Sequence, residues 1–177
     1  FLSVPAIAPI INNIYYVTAD YRIQIIRAWT MIDNWSFGDL LGHWSRFIYR
    51  GHGSPMFIFY PPVYYYIFAF LYIIGIPFFY CFKLINIAAF ILSGFSMYYY
   101  MNKYITATGA VCAGVIFAFF PYHFSELYGS GQFVEYFMWF MIPPLFYYYF
   151  QIFENNKFSK NSHLKFGIIL AIFILTH

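Results

Sequence analysis

The chain has 177 residues, of which 63% are hydrophobic and 8% are charged, and its net charge is +3. Soluble domains carry about 25% charged residues, so nine basic and six acidic side chains cannot cover a globular surface. The composition therefore excludes a soluble domain and predicts a polytopic membrane protein, and the small net charge gives no indication of nucleic-acid binding.

Residues 1–11 are apolar and are predicted to be the end of a first membrane span. The only long segment of mixed polarity follows at residues 12–55, where "DYRIQIIRAWTMI" predicts short amphipathic helices. The chain begins with apolar residues at Phe1 and stops inside another apolar run at His177. We therefore expect a fragment of a longer protein, with residues 1–177 forming a single membrane domain.

Residues 56–80 are long enough to cross a bilayer, but they contain "YPP" near their start and a glycine and a proline near their end. Such a segment either crosses the membrane or lies along its outer leaflet. The two alternatives place residues 12–55 on opposite sides of the membrane, and the arginines of that segment suit either side. Pro61 and Pro62 favour a bent, surface-lying helix, because proline is tolerated in the first turn of a helix.

Four further apolar runs are predicted to be membrane spans, and they are predicted to be helical because lipid offers no water to satisfy backbone groups. They are residues 84–101, 105–121, 133–153 and 166–177. The loop at 154–165 holds three lysines and one glutamate, so the positive-inside rule places it in the cytoplasm and residues 121–132 outside. The predicted fold class is an all-α membrane helix bundle, with residues 84–177 as transmembrane helices.

Three motifs follow one another along the chain: "TADYRIQIIRA" at 18–28, "GSPMFIFYPP" at 53–62 and "PYHFSELYGSGQFVE" at 121–135. Together with the final "LTH", their order resembles the membrane glycosyltransferases of the GT-C fold. More closely, it resembles the bacterial and archaeal membrane domain named "6-pyruvoyl-tetrahydropterin synthase-related", a label that implies no pterin chemistry. That family commonly has an arginine where this chain has Ser130, so the chain departs from the pattern there.

The resemblance implies a GT-C-like bundle whose first extracytoplasmic loop carries an acidic catalytic residue and membrane-lying helices. Residues 12–83 would form that loop, with residues 56–80 lying on the membrane, and residues 121–132 would be extracytoplasmic as well. The implied donor is a sugar carried on a polyprenyl phosphate. We expect an integral protein of a prokaryotic plasma membrane whose partners are the lipid bilayer and this lipid-linked sugar, and no nucleic acid.

Two acids are the candidate catalytic residues. Asp20 matches the loop acid of the family, a general base that would deprotonate an acceptor hydroxyl, and it is also a candidate ligand for a divalent cation. The alternative for Asp20 is an N-cap of the helix that begins with "YRIQIIRA". Glu135 enters an apolar helix, where an ionisable group is a functional candidate; the alternative is a helix-start carboxylate satisfied at the interface.

Six residues are the candidate substrate-binding groups, some basic and able to bind a lipid-linked phosphate. They are Arg22, Arg50, His52, Tyr60, His123 and Glu126. Arg50 and His52 flank the glycine turn and are the preferred pair, whereas snorkelling to lipid headgroups is the alternative for any single arginine. His123 and Glu126 share a helix face, and a hydrogen-bonded pair is favoured over a metal site.

Three functions are compatible with these patterns. The first is a glycosyltransferase that moves a sugar from a polyprenyl-phosphate carrier to an extracytoplasmic acceptor. The second is a transporter or flippase, which predicts polar residues in the middle of the spans. The third is a non-catalytic membrane subunit, for which Asp20 and Glu135 would be dispensable. No nucleotide-binding loop, nucleophile elbow or cysteine–histidine metal motif occurs in the sequence.

Overall fold

The computed structural model describes residues 4–12, 18–154 and 160–176, and this part of the chain is helical. The α-helices are α1 (Val4–Asn12), α2 (Tyr21–Ser36), α3 (Met56–Phe59), α4 (Val63–Ile73), α5 (Phe78–Met101), α6 (Ala107–Ala118), α7 (Pro121–Phe124), α8 (Phe133–Met138), α9 (Ile142–Glu154) and α10 (Lys160–Thr176). Short 3-10 turns lie at Ile48–Gly51 and Trp139–Met141. The described residues contain no strand, apart from one isolated bridge between Ser45 and Ser54. The all-α prediction is thereby confirmed.

Among the described residues, two helices are long and apolar enough to cross a membrane. One is α5, and the other is the continuous helical run Ala107–Ser130; each has 24 residues. At about 1.5 Å per residue such a helix exceeds the roughly 30 Å of a hydrocarbon core. Helix α5 begins at Phe78 because Pro77 precedes it at the N-cap position, so residues 78–83 belong to this helix and the boundary predicted at residue 84 was wrong.

The loop predicted at residues 121–132 is helical as far as Ser130. Pro121 stands at the first position of α7, where proline is well tolerated. A π-helical turn, Ser125–Ser130, continues from it and ends at Gly131, whose φ of 76° is in the left-handed region. The amide of Gly131 donates to the carbonyl of Glu126 at 2.9 Å, so the helix is closed by a glycine, as many helices are.

The predicted span at residues 133–153 is interrupted. Helix α8 is followed by the 3-10 turn Trp139–Met141 before α9 begins, and α9 carries two prolines in its first turn. Helix α10 starts at Lys160, earlier than the predicted residue 166, and His177 lies outside the described residues.

The region predicted to hold short amphipathic helices contains one 16-residue helix, α2, whose buried face includes polar as well as apolar residues. Gln24, Thr30 and Asn34 are buried, at 1–2% exposure, whereas Ile23 and Ile26 are 43% and 49% exposed. Helix α2 packs against α4, where Trp35 stacks on Tyr66. Helix α4 has 11 residues, about 16 Å, and is therefore too short to cross a bilayer by itself.

Helices α5 and α6 approach closely at a pair of glycines. A Cβ atom placed on Gly114 would lie 2.7 Å from the carbonyl oxygen of Gly94 and 3.3 Å from the Tyr98 Cβ. Small residues at such crossings allow the backbones of membrane helices to approach each other.

A Gly114→Leu substitution is therefore expected to destabilise the protein, because backbone atoms of α5 cannot yield to the new side chain. We expect a loss of about 1–3 kcal/mol in the free energy of unfolding, as for other overpacked sites. The measurement is thermal unfolding in detergent followed by circular dichroism. Gly167→Leu in α10 is the matched control, since nothing lies within 4 Å of its added Cβ; equal melting of the two variants would contradict the prediction.

Candidate functional site

Two segments far apart in sequence meet at the start of α2. The amide of Asp20 donates to the carbonyl of Ser130 at 2.9 Å. Gly131 makes this approach feasible, because a Cβ at that position would collide with the Thr18 side chain. The contact places the first acid of the chain next to the segment that carries Glu126 and Glu135.

Asp20 occupies the N-cap position of α2, but its side chain makes no capping hydrogen bond. Its carbonyl accepts from the amide of Gln24 at 3.0 Å, which starts the helix. The side chain is partly buried. The carboxylate is therefore not used to cap the helix.

Glu126 and Glu135 are joined through one amide. In the orientation of the Gln132 amide that satisfies its neighbours, the nitrogen donates to Glu135 Oε1 at 2.7 Å and to Glu126 Oε2 at 3.2 Å. Ser130 Oγ donates to the same Glu126 oxygen at 3.1 Å. Charge-assisted bonds of this kind are stronger than bonds between neutral groups, so the segment is held as one polar unit.

Gln132 and Glu135 of this segment form one wall of a cavity of about 270 Å³. The opposite wall comes from Gln24 of α2 and from the "FYP" turn that precedes α4. The lining residues are Gln24, Phe59, Tyr60, Pro61, Gln132, Val134 and Glu135. A cavity with two amides, a phenol and a carboxylate matches the hydroxyl groups of a sugar better than an apolar ligand.

Tyr65 and Arg27 support the cavity from α4 and α2. The Tyr65 hydroxyl donates to Gln24 Oε1, which fixes the orientation of that amide. Burial raises the pKa of Tyr65 well above its usual value, an effect that the nearby Arg27 charge reduces and the Asp20 charge increases. Tyr65 therefore stays a neutral donor, and both charged side chains lie close enough to act on it.

The structure treats the sequence-predicted residues differently. The Asp20 backbone contacts the segment that carries Glu126 and Glu135, and these two acids share the Gln132 amide. Tyr60 and Glu135 line the cavity, whereas Asp20 and Glu126 do not. Arg22, Arg50 and His52 are exposed, and none of them lines it. Tyr49 and Arg50 adopt left-handed backbone angles, with φ of 54° and 59°, so this turn holds Arg50 at the surface.

His123 and Glu126 do not form the hydrogen-bonded pair that their spacing predicts. The His123 ring is 1% exposed, and its Nδ1 lies 3.2 Å from the Ala118 carbonyl oxygen. Its ring packs edge-on against Trp139 and Tyr136, while Glu126 bonds to Ser130 and Gln132 instead. The π-helical turn that begins at Ser125 changes the spacing between the two side chains. No group of three or more metal-ligating side chains occurs in the described part of the chain.

Gln24 and Gln132 are the site residues that sequence reasoning did not identify. For Gln24 only a weak signal existed in the sequence. It stands three positions before Arg27, and residues three apart lie on the same face of a helix, so this spacing places the two side chains on one side of α2. For Gln132 the only signal was its position between two acids.

Comparison with protein-family models, with curated proteins and with solved structures gives no match. The described residues define a helical protein with two helices able to cross a membrane and with a cavity lined in part by Gln24, Gln132 and Glu135.

Proposed function

We propose that the protein is an integral membrane glycosyltransferase that moves a sugar from a polyprenyl-phosphate carrier to an extracytoplasmic acceptor. One observation carries the proposal: the Asp20–Ser130 backbone hydrogen bond brings Asp20 to the segment of Glu126, Gln132 and Glu135. A separate catalytic base and a sugar-binding wall are what such a reaction needs.

The reaction follows from the roles of these groups. The carboxylate of Asp20 accepts the proton of the acceptor hydroxyl, and the acceptor oxygen forms a bond to the anomeric carbon of the sugar. The bond between that carbon and the phosphate oxygen breaks, and the polyprenyl phosphate leaves with the electron pair. Gln132 and Glu135 bind sugar hydroxyls and fix the anomeric carbon near the acceptor.

Three features support a GT-C-like membrane arrangement. Helix α4 is too short to span, helix α2 presents isoleucines outwards, and both lie between α1 and the first long helix, α5. The contact between Asp20 and Ser130 supports one compartment for residues 12–83 and 121–132. The lysines of the 154–165 loop favour the extracytoplasmic side for both segments, and we assign the protein to a prokaryotic plasma membrane from the family resemblance alone.

A transporter is less well supported. Its strongest sequence signal was the polar residues within α5, and two of them have partners inside the protein. Asn86 accepts from the Tyr64 hydroxyl at 3.5 Å, and Ser93 donates to the Phe90 carbonyl at 2.8 Å.

The sidedness of the two loops can be tested with single cysteines at Ser36 and Ser125, both exposed, in a chain lacking Cys81 and Cys112. We expect both to react with a membrane-impermeant thiol reagent in intact cells, because Asp20 and Ser130 are hydrogen-bonded neighbours. Labelling after permeabilisation provides the control for thiol reactivity. Labelling of only one position in intact cells would separate the loops and contradict the shared site.

The function itself is tested with the full chain purified in detergent and a polyprenyl-phosphate-linked sugar. We expect the lipid-linked sugar to be consumed only with acceptor present, with release of polyprenyl phosphate. Because the acceptor is unidentified, membrane extracts supply acceptors and the labelled sugar is followed into product. A failure to release polyprenyl phosphate with any of several sugars and extracts would reject the proposal in favour of a non-catalytic subunit.

A further inference from the structure

A groove lies between α5 and α9, near the C-terminal ends of both helices. It has a volume of about 290 Å³, and its walls include Phe95, Tyr99, Tyr147 and Tyr148. Along α5 it extends from residue 92 to residue 100, about 12 Å of helix. Phe95 and Tyr99 are 64% and 60% exposed, so the groove opens to the surroundings of the protein.

Two polar groups in the walls of this groove already have partners inside the protein. Ser96 Oγ donates to the Ser93 carbonyl at 3.0 Å. The Tyr147 hydroxyl accepts from Gln151 Nε2 at 2.6 Å, and Gln151 Oε1 in turn accepts from Ser162 Oγ of α10 at 3.3 Å. The walls therefore present mainly rings and aliphatic carbons, which suit a hydrocarbon chain better than a polar ligand.

Two lysines stand beside rings that line the groove. Lys103 Nζ lies 5.1 Å from the centre of the Tyr99 ring, and Lys165 Nζ lies 5.7 Å from the centre of the Tyr148 ring. Both lysine side chains are exposed, and neither forms an ion pair with a carboxylate among the described residues. An apolar groove with cations at its rings complements a ligand that has a hydrocarbon chain and an anionic head.

This end of the molecule has the charge pattern of a cytoplasmic face. Lys103 lies in the turn between α5 and α6, and Lys165 lies in the first turns of α10. The 154–165 segment contributes further lysines, so the positive-inside rule places this end in the cytoplasm. Anionic phospholipids are found in the cytoplasmic leaflet, and basic pockets between membrane helices on that side bind their headgroups.

We propose that the groove between α5 and α9 binds an anionic phospholipid of the cytoplasmic leaflet. One acyl chain lies between the two helices, and the phosphate lies at Lys103 and Lys165. The site is at the opposite end of α5 from the candidate catalytic residues, since Tyr21, next to Asp20, packs against Phe82 in the first turns of that helix. The inference therefore goes beyond the proposed function and does not depend on sugar transfer.

Two simpler arrangements make different predictions. Lysines that only snorkel to headgroups attract any anionic surface and do not need the groove. A groove that only accommodates membrane lipid takes any acyl chain and does not need the lysines. A phospholipid site needs both, so the headgroup and the chain are tested separately.

The experiment measures lipid binding to the full chain in detergent by native mass spectrometry. The probes are phosphatidylglycerol, phosphatidylcholine with the same acyl chains, and inorganic phosphate. For the wild type we expect phosphatidylglycerol to bind about tenfold or more tightly than phosphatidylcholine, because each lysine near an anionic headgroup contributes about fivefold. Lys103→Gln and Lys165→Gln should each lower this preference about fivefold. The double variant should remove it and leave phosphatidylcholine binding unchanged.

Two further variants fill the groove, Ser96→Phe and Leu92→Trp, and a circular-dichroism melting curve shows that each is folded. Both positions line the groove, so we expect weaker binding of both lipids. Unchanged phosphatidylglycerol binding in a folded groove-filling variant would show a headgroup contact without a chain site and would overturn the proposal.

Lys83→Gln is the matched control for the two lysines. Its Nζ lies 5.4 Å from the centre of the Tyr80 ring, so the variant removes the same kind of pair at the other end of α5. It should keep the wild-type preference for phosphatidylglycerol. An equal loss in Lys83→Gln, or a preference retained in the Lys103→Gln Lys165→Gln double variant, would overturn the proposal. Displacement of phosphatidylglycerol by inorganic phosphate would show an anion site without a chain and would overturn it too.

Discussion

An Asp20→Asn substitution is expected to lower the turnover number of sugar transfer by at least about 100-fold, the usual contribution of a general base. Asparagine has nearly the same shape but cannot accept the acceptor proton. Because Asp20 makes no capping hydrogen bond, the substitution should leave helix α2 intact. The measurements are initial rates with the lipid-linked sugar and a circular-dichroism melting curve.

Asp39→Asn provides the matched control for this experiment. Its carboxylate accepts from the amides of Gly42 and His43, at 3.0 and 2.7 Å, and pairs with the His43 ring, so its partners lie in its own turn and not at the Asp20–Ser130 contact. We expect this variant to change the stability of the 39–43 turn and not the turnover number. Unchanged transfer in Asp20→Asn, or an equal loss in both variants, would show that Asp20 is not the base.

The sequence was sufficient for the helical class because helices and apolar runs are local properties. It predicted α5 from residue 84 to its end at Met101, but not its first turns, and it predicted the first half of the Ala107–Ser130 helix. It did not predict how that second helix continues, since "PYHFSELYGSG" reads as a loop by its polar and glycine content. The π-helical turn Ser125–Ser130 is stabilised by contacts with another segment, which no local pattern displays.

Helix α2 shows a second limit of pattern reading. Its isoleucines and arginines predicted an amphipathic helix, but the pattern did not say which residues the protein would bury. In the structure Gln24, Thr30 and Asn34 face inwards and Ile23 and Ile26 face outwards. The burial of these three polar side chains is expected where hydrocarbon rather than water is the surrounding solvent, because polar groups then need partners inside the protein.

The sequence predicted the candidate site only in part, because the site depends on contacts between segments that are far apart in the chain. Asp20 and Glu135 were recognised as acids in unusual places, but their proximity depends on a contact between residues 20 and 130. Gln132 and Arg27 gain their roles only from this contact and from the packing of α2 on α4. Arg50 was preferred because it flanks a glycine turn, yet that turn directs it to the surface.

A Gly131→Val substitution is expected to separate the two halves of the site. Gly131 has a φ of 76°, which a β-branched residue adopts only with strain of about 1–3 kcal/mol. The new Cβ would also collide with the Thr18 side chain, so relief of the strain requires the 18–20 segment to move away. We expect the Asp20 amide to lose its protection from hydrogen exchange, and sugar transfer to fall at least as far as in Asp20→Asn.

Gly129→Val is the matched control, since its added Cβ meets only Ser125 Oγ, at 3.7 Å. It should keep both the protection of the Asp20 amide and most of the transfer activity. Hydrogen exchange reports the contact directly and does not depend on the proposed chemistry. Lost protection with retained transfer would mean that Asp20 and the Glu126–Glu135 segment need not be neighbours for activity, and the Asp20–Ser130 contact would then have no catalytic role. Retained protection in Gly131→Val would show that the left-handed turn is not what joins the two segments.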